Sequence, residues 1–209
     1  MVSSLPPPPS DAESGWDEVY DEFVARLKAL GVGDGAPRQG ELFPNLVLPD
    51  ARGTYRAVHD LLDGRPLVVS FLRGSWCPFC RHEVEAWSQA LAPLSAAGGR
   101  LLIICGELGD GVRALRARAG EDALLLCDVD HGAALACALA CHIGDDLKQR
   151  YLDCGLDLAE VYGSDGAFVP VPATFVLDAS GRIAHAFVDA DFRRRADPAE
   201  IVSLVQAMA

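Results

Sequence analysis

The sequence predicts an α/β fold, with a central mixed sheet flanked by helices in one domain. Three continuous apolar runs, PLVVSFL, RLLIIC and ALLLC, read as central strands that are buried on both faces, and helical patterns separate them. In PATFVLDASGRIAHAFVD, two further strand patterns are joined by Ala-Ser-Gly, which is a hairpin signal. The chain has 209 residues, 50% of them hydrophobic, so it can bury one sizeable core.

The N-terminal residues predict an extension that precedes the sheet. Residues 1–14 are polar and rich in Pro and Ser, so we expect a disordered tail there and a single domain over 15–209. From Trp16 to Leu30, apolar residues recur at three- and four-residue spacing, which predicts a helix that Gly31 ends.

The segments between the strands predict further short elements. The segment ELFPNLVLPDARG favours short strands with a turn. The next segment, TYRAVHDLLDG, predicts a short helix that ends at Gly64. After the first central strand, Val84, Trp87, Leu91 and Leu94 mark one face of a helix that Pro93 is expected to end or kink.

The second half of the chain adds more helices. GVRALRARAG predicts a basic helix, and HGAALACALACHIGDDLKQRYLDCG has helical composition, interrupted near Gly144. The weakly patterned residues 142–168 are interpreted as a surface insertion. DPAEIVSLVQAMA predicts a terminal helix with Asp197 as its N-cap and Pro198 at its first position.

Charge and cysteine usage restrict the partners and the compartment. The formal charge of −12 argues against nucleic acid, because that binding depends on Lys and Arg. The N-terminus has no secretion-signal pattern, and no window reaches the roughly 18 apolar residues that would suggest a membrane span. Seven scattered cysteines fit a reducing compartment. The expectation is a cytoplasmic protein without a membrane partner.

Two cysteines lie two residues apart in FLRGSWCPFCRHEVEAW, residues 71–87, where a buried strand meets a helix. We expect Cys77 near the N-cap of the helix and Pro78 in its first turn, so that free N–H groups and the helix dipole face the sulfurs. A thiolate at such a place can have its pKa lowered from about 8.5 to roughly 3.5–7.5. Arg73 and Arg81 add positive charge nearby. This pattern favours a reactive dithiol.

The other roles open to the cysteines are metal binding, haem attachment and burial as small residues. A structural zinc site needs four ligands. The candidate set would be Cys137, Cys141, His142 and His82, but their spacing in the sequence does not support a zinc site, so we predict no metal. Attached haem needs C-x-x-C-H, which is absent. Cys105 and Cys127 end apolar runs and are interpreted as small hydrophobic residues. Cys137 and Cys141, one helical turn apart in the predicted helix, are either small buried residues or a resolving thiol.

Three motifs together resemble the thioredoxin-like superfamily, and most closely the peroxiredoxin-like branch of the AhpC/TSA family, over roughly residues 31–209. They are FLRGSWCPFC, VPATFVLDASGRI and FVDADFRRRADPAEIV. The resemblance implies a thioredoxin-like fold and a cis-proline at Pro172 beside the dithiol. The backbone of Val171 would then pair with an extended substrate.

The chain departs from the peroxiredoxin pattern P-x-x-x-T-x-x-C. If Cys80 is set on the peroxidatic cysteine, Arg73 takes the Pro position and Cys77 the Thr position, while Glu83 falls on an acidic residue common in the family. Arg182 does not convincingly replace the arginine that stabilises the thiolate in that family. The resemblance therefore implies an altered peroxide pocket that keeps dithiol chemistry.

These observations predict a thiol oxidoreductase that reduces peroxides through a Cys77–Cys80 disulfide cycle, without a bound cofactor. Cys77 is expected to be the more exposed nucleophile, although the family alignment favours Cys80 for first attack, and this choice stays open. The supporting site residues are Arg73, Trp76, Pro78, Glu83 and Pro172. The alternatives are a protein disulfide reductase and a redox-inert binding module. The expected partners are a peroxide or disulfide substrate and a thioredoxin- or glutathione-type reductant, with a homodimer left open.

Overall fold

The computed structural model describes residues 16–208, so the predicted tail at 1–14 lies outside the described residues. A five-stranded mixed sheet has the strand order β5-β4-β3-β8-β9. Strands β3, β4 and β5 are parallel, β8 pairs antiparallel with β3, and β9 pairs antiparallel with β8. Their bounds are Leu67–Leu72 (β3), Arg100–Cys105 (β4), Leu124–Cys127 (β5), Ala173–Leu177 (β8) and Ile183–Val188 (β9). The predicted strands and hairpin are confirmed.

Helices cover one face of this sheet, and an irregular segment with one short helix covers the other. The first face packs on α2 (Pro78–Ala96), α3 (Gly109–Ala119) and α7 (Pro198–Gln206). Phe43, Val58, Leu62 and the short helix α4 (Gly132–Ala136) pack on the second. The predicted cap of α7 is confirmed, because the Asp197 side chain accepts a hydrogen bond from the Ala199 N–H.

Two small antiparallel pairs lie beside the main sheet. Strand β1 (Val47–Pro49) pairs with β2 (Tyr55–Ala57), and β6 (Ala140–His142) pairs with β7 (Phe168–Pro170). The helix predicted from Thr54 to Gly64 is therefore wrong in its first half, and only a 3₁₀ turn, His59–Leu61, follows β2. Strand pairing has overridden the local preference there.

Two further helix predictions need correction. The long helix predicted after residue 130 is divided into α4, strand β6 and α5 (Asp145–Asp153), because Cys141 pairs with Val169 in the small sheet. Cys137 follows the last residue of α4, so Cys137 and Cys141 do not share a helix. Helix α2 continues past Pro93 to Ala96. Pro93 stands in the last turn of α2, where few further hydrogen bonds depend on it.

A third apolar cluster lies beside the sheet and involves residues that were interpreted as a surface insertion. Helix α1 (Trp16–Ala29), which is confirmed, packs against α5 and α6 (Leu158–Tyr162). Phe23, Leu27, Tyr151, Tyr162 and Phe192 are buried there. The buried side chains of residues 142–168 are thus part of the core, and the interpretation as a surface insertion is wrong for them. None of the helices between residues 16 and 208 has the length and apolar character that a membrane span requires.

Candidate dithiol site

The dithiol lies in the loop that joins the end of β3 to α2. Cys77 is the N-cap of α2, Pro78 is its first residue and Cys80 its third, which confirms the predicted placement. Gly74 has φ 151°, and a Cβ there would stand 2.7 Å from the Trp76 ring. A glycine at this position therefore lets the chain turn tightly under Trp76.

Polar side chains clamp this loop from two sides. The N–H and hydroxyl of Ser75 donate to the Glu107 carboxylate at 2.5 and 2.8 Å. Arg81 Nη1 donates to the carbonyl oxygens of Ser75 and Trp76 at 2.8 and 3.0 Å. Arg81 was expected to add charge at the sulfurs, but its guanidinium holds the loop backbone instead. The dithiol is positioned before any substrate arrives.

Cys80 lies at the centre of a buried network of charged and polar groups. Its Sγ accepts hydrogen bonds from the Arg73 backbone N–H at 3.3 Å and from Arg195 Nη2 at 3.4 Å. The other arm of Arg195 donates to Glu83 Oε2 at 2.5 Å, and Glu83 Oε1 accepts from the Ser70 hydroxyl at 2.7 Å. Two N–H donors thus stand ready to stabilise negative charge on the Cys80 sulfur.

Both sulfurs are buried, with Cys77 1% and Cys80 0% exposed. The prediction that Cys77 is the more exposed nucleophile is therefore wrong. The N-cap residue is covered because it belongs to the apolar cluster between α2 and the sheet.

The two thiols differ in acidity although they are neighbours. Burial raises the pKa of the Cys77 thiol, but the hydrogen bond with Cys80 and the charge of Arg73 outweigh burial. With Arg195 contributing as well, the pKa of Cys77 falls to about 5. Burial and the hydrogen bond with Cys77 raise the pKa of Cys80 well above its usual range. At neutral pH the pair therefore holds one thiolate, at Cys77, and one thiol.

Arg73 lies in an aromatic cage next to Cys77. Its guanidinium carbon is 4.4 Å from the centre of the Phe192 ring, 4.9 Å from that of Trp76 and 6.0 Å from that of Phe23. The side chain is fully buried, and its Nε and Nη2 atoms have no hydrogen-bond partner among the described residues. The cage stabilises the cation through the ring faces.

Tyr162 joins the two ends of the loop. Its hydroxyl donates to the Arg73 carbonyl at 2.6 Å and accepts from Trp76 Nε1 at 3.0 Å. Trp76, predicted as a supporting residue, is thereby fixed above Arg73.

Pro172 is buried at the same edge of the sheet, but it is not cis. The register pairs Phe71 with Ala173, which places Pro172 beside the end of β3, where the dithiol loop begins. No peptide bond among residues 16–208 is cis, so that prediction is wrong. The Val171 N–H already donates to the Leu139 carbonyl at 2.7 Å, and it is therefore not free for a substrate chain. The extended chain runs straight from β7 into β8.

The remaining cysteines are free thiols. Cys137 and Cys141 are buried in different apolar clusters, and burial raises their pKa to about 12 and about 11. These surroundings favour the interpretation as small buried residues. Cys105 and Cys127 face each other on β4 and β5. Among residues 16–208, no three His, Cys, Asp or Glu side chains are grouped to hold a metal ion.

Sequence reasoning missed Arg195 and Tyr162. Arg195 stands in the FRRRADP segment that the resemblance quoted, but nothing in the run of three arginines indicates which one turns inward. Arg182 instead donates to the Gly40 carbonyl at the surface, which agrees with its exclusion. Tyr162 lies within the residues interpreted as an insertion, and no local signal indicates its role.

The sequence matches the AhpC/TSA family over residues 39–186. The fold is similar to that of the peroxidoxin BcpB of Mycobacterium tuberculosis, with a TM-score of 0.62 and 17% identity over 83% of this chain and 99% of that one. It is also similar to reduced Prx3 of Vibrio vulnificus, with a TM-score of 0.63 and 18% identity over 80% and 97% of the two chains. The fold is similar, too, to that of a putative thiol:disulfide interchange protein DsbE of Chlorobium tepidum. That comparison has a TM-score of 0.52 and 18% identity over 83% of this chain and 99% of that one. Curated protein sequences give no match.

Proposed function

The chain belongs to the AhpC/TSA family and is a thiol-dependent oxidoreductase, and on this premise we propose that it reduces peroxides through a Cys77–Cys80 dithiol cycle. The observation that supports this proposal is the asymmetry of the pair, with the pKa of Cys77 lowered to about 5 beside a protonated Cys80. A thiolate with a neighbouring thiol is the arrangement that two-step oxidation to a disulfide needs.

The first step is attack of the Cys77 thiolate on the outer oxygen of a hydroperoxide. The O–O bond breaks, a sulfenic acid forms at Cys77, and the alkoxide takes up a proton and leaves as an alcohol. Arg73, adjacent to Cys77, offsets the negative charge of the attacking sulfur.

The second step closes the disulfide. The Cys80 sulfur attacks the Cys77 sulfenic sulfur, the S–S bond forms and water leaves, so two thiols are oxidised as the peroxide is reduced by two electrons. When an external thiol later attacks Cys77, Cys80 departs as a thiolate. The Arg73 N–H and the Arg195 guanidinium, at 3.3 and 3.4 Å, stabilise that leaving group.

The test uses single-turnover peroxide consumption by wild type, Cys77→Ser and Cys80→Ser, with sulfenic acid trapped and mapped by mass spectrometry. We expect Cys80→Ser to accumulate sulfenic acid at Cys77, and Cys77→Ser to consume peroxide no faster than a free thiol. Sulfenic acid at Cys80 in Cys77→Ser would show that the roles are reversed. If wild type itself reacts no faster than a free thiol, the peroxidase proposal is wrong.

A protein disulfide reductase is the second candidate, because the C-x-x-C spacing at a helix start and a stabilised Cys80 leaving group suit disulfide exchange equally. In that case Cys80→Ser would trap a mixed disulfide between Cys77 and a disulfide substrate. A redox-inert module would show neither reaction.

We propose a thioredoxin- or glutathione-type thiol as reductant and the cytoplasm as compartment. The seven free cysteines support a reducing environment. Rates of disulfide reduction by each thiol distinguish the two reductants. A homodimer stays a prediction. Analytical ultracentrifugation of the reduced protein would measure the molecular mass in solution and so test it.

A further inference from the structure

A cavity of about 370 Å³ lies at the β5 edge of the central sheet. Among residues 16–208, the outer side of β5 makes only a single bridge, between Leu126 and Asp50. The turn between β1 and β2 and the 3₁₀ turn His59–Leu61 wall the cavity on one side, and α3 walls it on the other. Its volume is within the range of small-molecule sites in proteins.

The lining of this cavity is apolar on its floor and cationic elsewhere. The floor consists of four buried or half-buried leucines, which are Leu61, Leu124, Leu125 and Leu126. Three exposed arginines also line it, which are Arg52, Arg56 and Arg116. Asp50 is the one acidic residue of the lining, so the cavity has a formal charge of +2 in a chain whose formal charge is −12. The positive charge is therefore local to this edge.

Most of this positive charge has no partner in the protein. The guanidinium groups of Arg52 and Arg116 make no hydrogen bond and no ion pair with any residue between 16 and 208. Arg56 Nε lies 3.9 Å from Asp50 Oδ2, which is a distant, half-exposed pair of little strength. The other carboxylate oxygen of Asp50, Oδ1, accepts hydrogen bonds from the N–H groups of Arg52 and Thr54 at 2.9 and 3.0 Å. Asp50 thus holds its own turn and neutralises at most one arginine.

We propose that this cavity binds a small amphiphilic oxyanion, with its carboxylate or phosphate group on the three arginines and its apolar chain on the four leucines. The planar guanidinium fork matches both oxyanions and can bind them through two parallel hydrogen bonds. An apolar chain would remove the leucine floor from water, which is favourable in proportion to the area covered. A purely polar anion or a neutral alcohol would satisfy only half of the lining.

The cavity is separate from the dithiol. Strand β5 lies two strands away from β3, which corresponds to about 10 Å. The register aligns Leu124 with Leu102, and Leu102 with Val69. The dithiol loop begins only after Leu72, three residues further along β3. A ligand in the cavity therefore does not contact the sulfurs, and this inference does not depend on the proposed peroxidase activity.

Isothermal titration calorimetry of the full-length reduced protein tests the site, with octyl phosphate and octanoate as probes below their micellar concentrations. We expect at least one of them to bind about tenfold or more tightly than inorganic phosphate and octanol, because each of these offers only one of the two contacts. The affinity should fall as salt is added, since the arginines are exposed to solvent. The stronger of the two probes identifies the preferred oxyanion. If neither probe binds more tightly than octanol, the proposal is wrong.

Two variants of α3 locate the binding. Arg116→Gln should weaken the binding of the better probe about tenfold or more, because it removes a charge-assisted contact. Arg113→Gln is the matched control, since Arg113 is 71% exposed on the same helix and does not line the cavity. Both variants should consume peroxide as wild type does, because neither residue is near the dithiol. Equal probe affinity in wild type and both variants would overturn the assignment to this cavity.

An acidic hexapeptide provides a competing occupant, because the open edge of β5 could also pair with an extended chain. We expect it to bind more weakly than the better amphiphilic probe. Binding of the peptide that Arg116→Gln abolishes, without binding of either amphiphile, would overturn the small-molecule proposal and assign the edge to a protein partner.

Discussion

Arg195 Nη2 lies 3.4 Å from the Sγ atom of Cys80, although the two residues are 115 positions apart in the chain. The same guanidinium binds Glu83, so one buried arginine connects the dithiol to the interior of α2. Arg195, Cys80 and Glu83 form a buried unit in which removal of the arginine leaves the other two without their cationic partner.

Arg195→Met is expected to lower the free energy of unfolding by about 3–5 kcal/mol, because it leaves the Glu83 carboxylate buried without its partner. Urea unfolding of the reduced protein measures the loss. Arg194→Met is the matched control, since the Arg194 side chain is 58% exposed and its ion pair with Asp189 should contribute at most about 1 kcal/mol. Adding Glu83→Gln to Arg195→Met should recover part of the lost stability, and no recovery would contradict buried charge as the cause.

Alkylation of Cys77 should depend on pH with a midpoint near its pKa of about 5. The thiolate is the reactive form, so the rate should rise through this pH and then level off, whereas a free thiol continues to gain reactivity up to about pH 8.5. Iodoacetamide labelling with quantification of each cysteine by mass spectrometry gives the profile. Arg73→Met should move the midpoint to higher pH, because it removes a positive charge that favours the thiolate. A Cys77 profile that coincides with the free thiol would contradict an activated thiolate.

Tyr162→Phe should destabilise the protein by about 1–3 kcal/mol, since it leaves the Arg73 carbonyl and Trp76 Nε1 without their shared partner. Thermal unfolding measures the change, and Tyr55→Phe, at a tyrosine that is 69% exposed, provides the control. Trp76 should also become more mobile, which its fluorescence anisotropy would report. Equal stability of the two variants would mean that the Tyr162 hydroxyl has no such structural role.

Gly74→Ala should slow peroxide consumption, because the added Cβ would stand 2.7 Å from Trp76 at a backbone angle that favours glycine. The loop that sets Cys77 must then shift. Gly132→Ala, where a Cβ meets no atom within 4 Å and the backbone is helical, should leave the rate unchanged. If both variants react as fast as wild type, the geometry of residues 73–77 does not control the rate.

Local patterns in the sequence were enough to predict the strands of the central sheet, the hairpin, the helices at both ends and the position of the dithiol. Continuous apolar runs, turn residues and capping residues act on their near neighbours, so they can be read from short segments. The placement of Cys77 as N-cap and of Pro78 after it belongs to this class.

Only the tertiary structure decided what surrounds the dithiol. Cys80 contacts Arg195, and Arg73 contacts both Phe192 and Phe23 of α1, because distant segments pack into one core. No local spacing in the sequence records those contacts. Long-range pairing also converted residues 140–142 from predicted helix to strand, since Cys141 gains a partner in Val169. The type of chemistry could thus be read from two cysteines at a helix start, whereas the burial and charge that govern it depend on residues more than a hundred positions away.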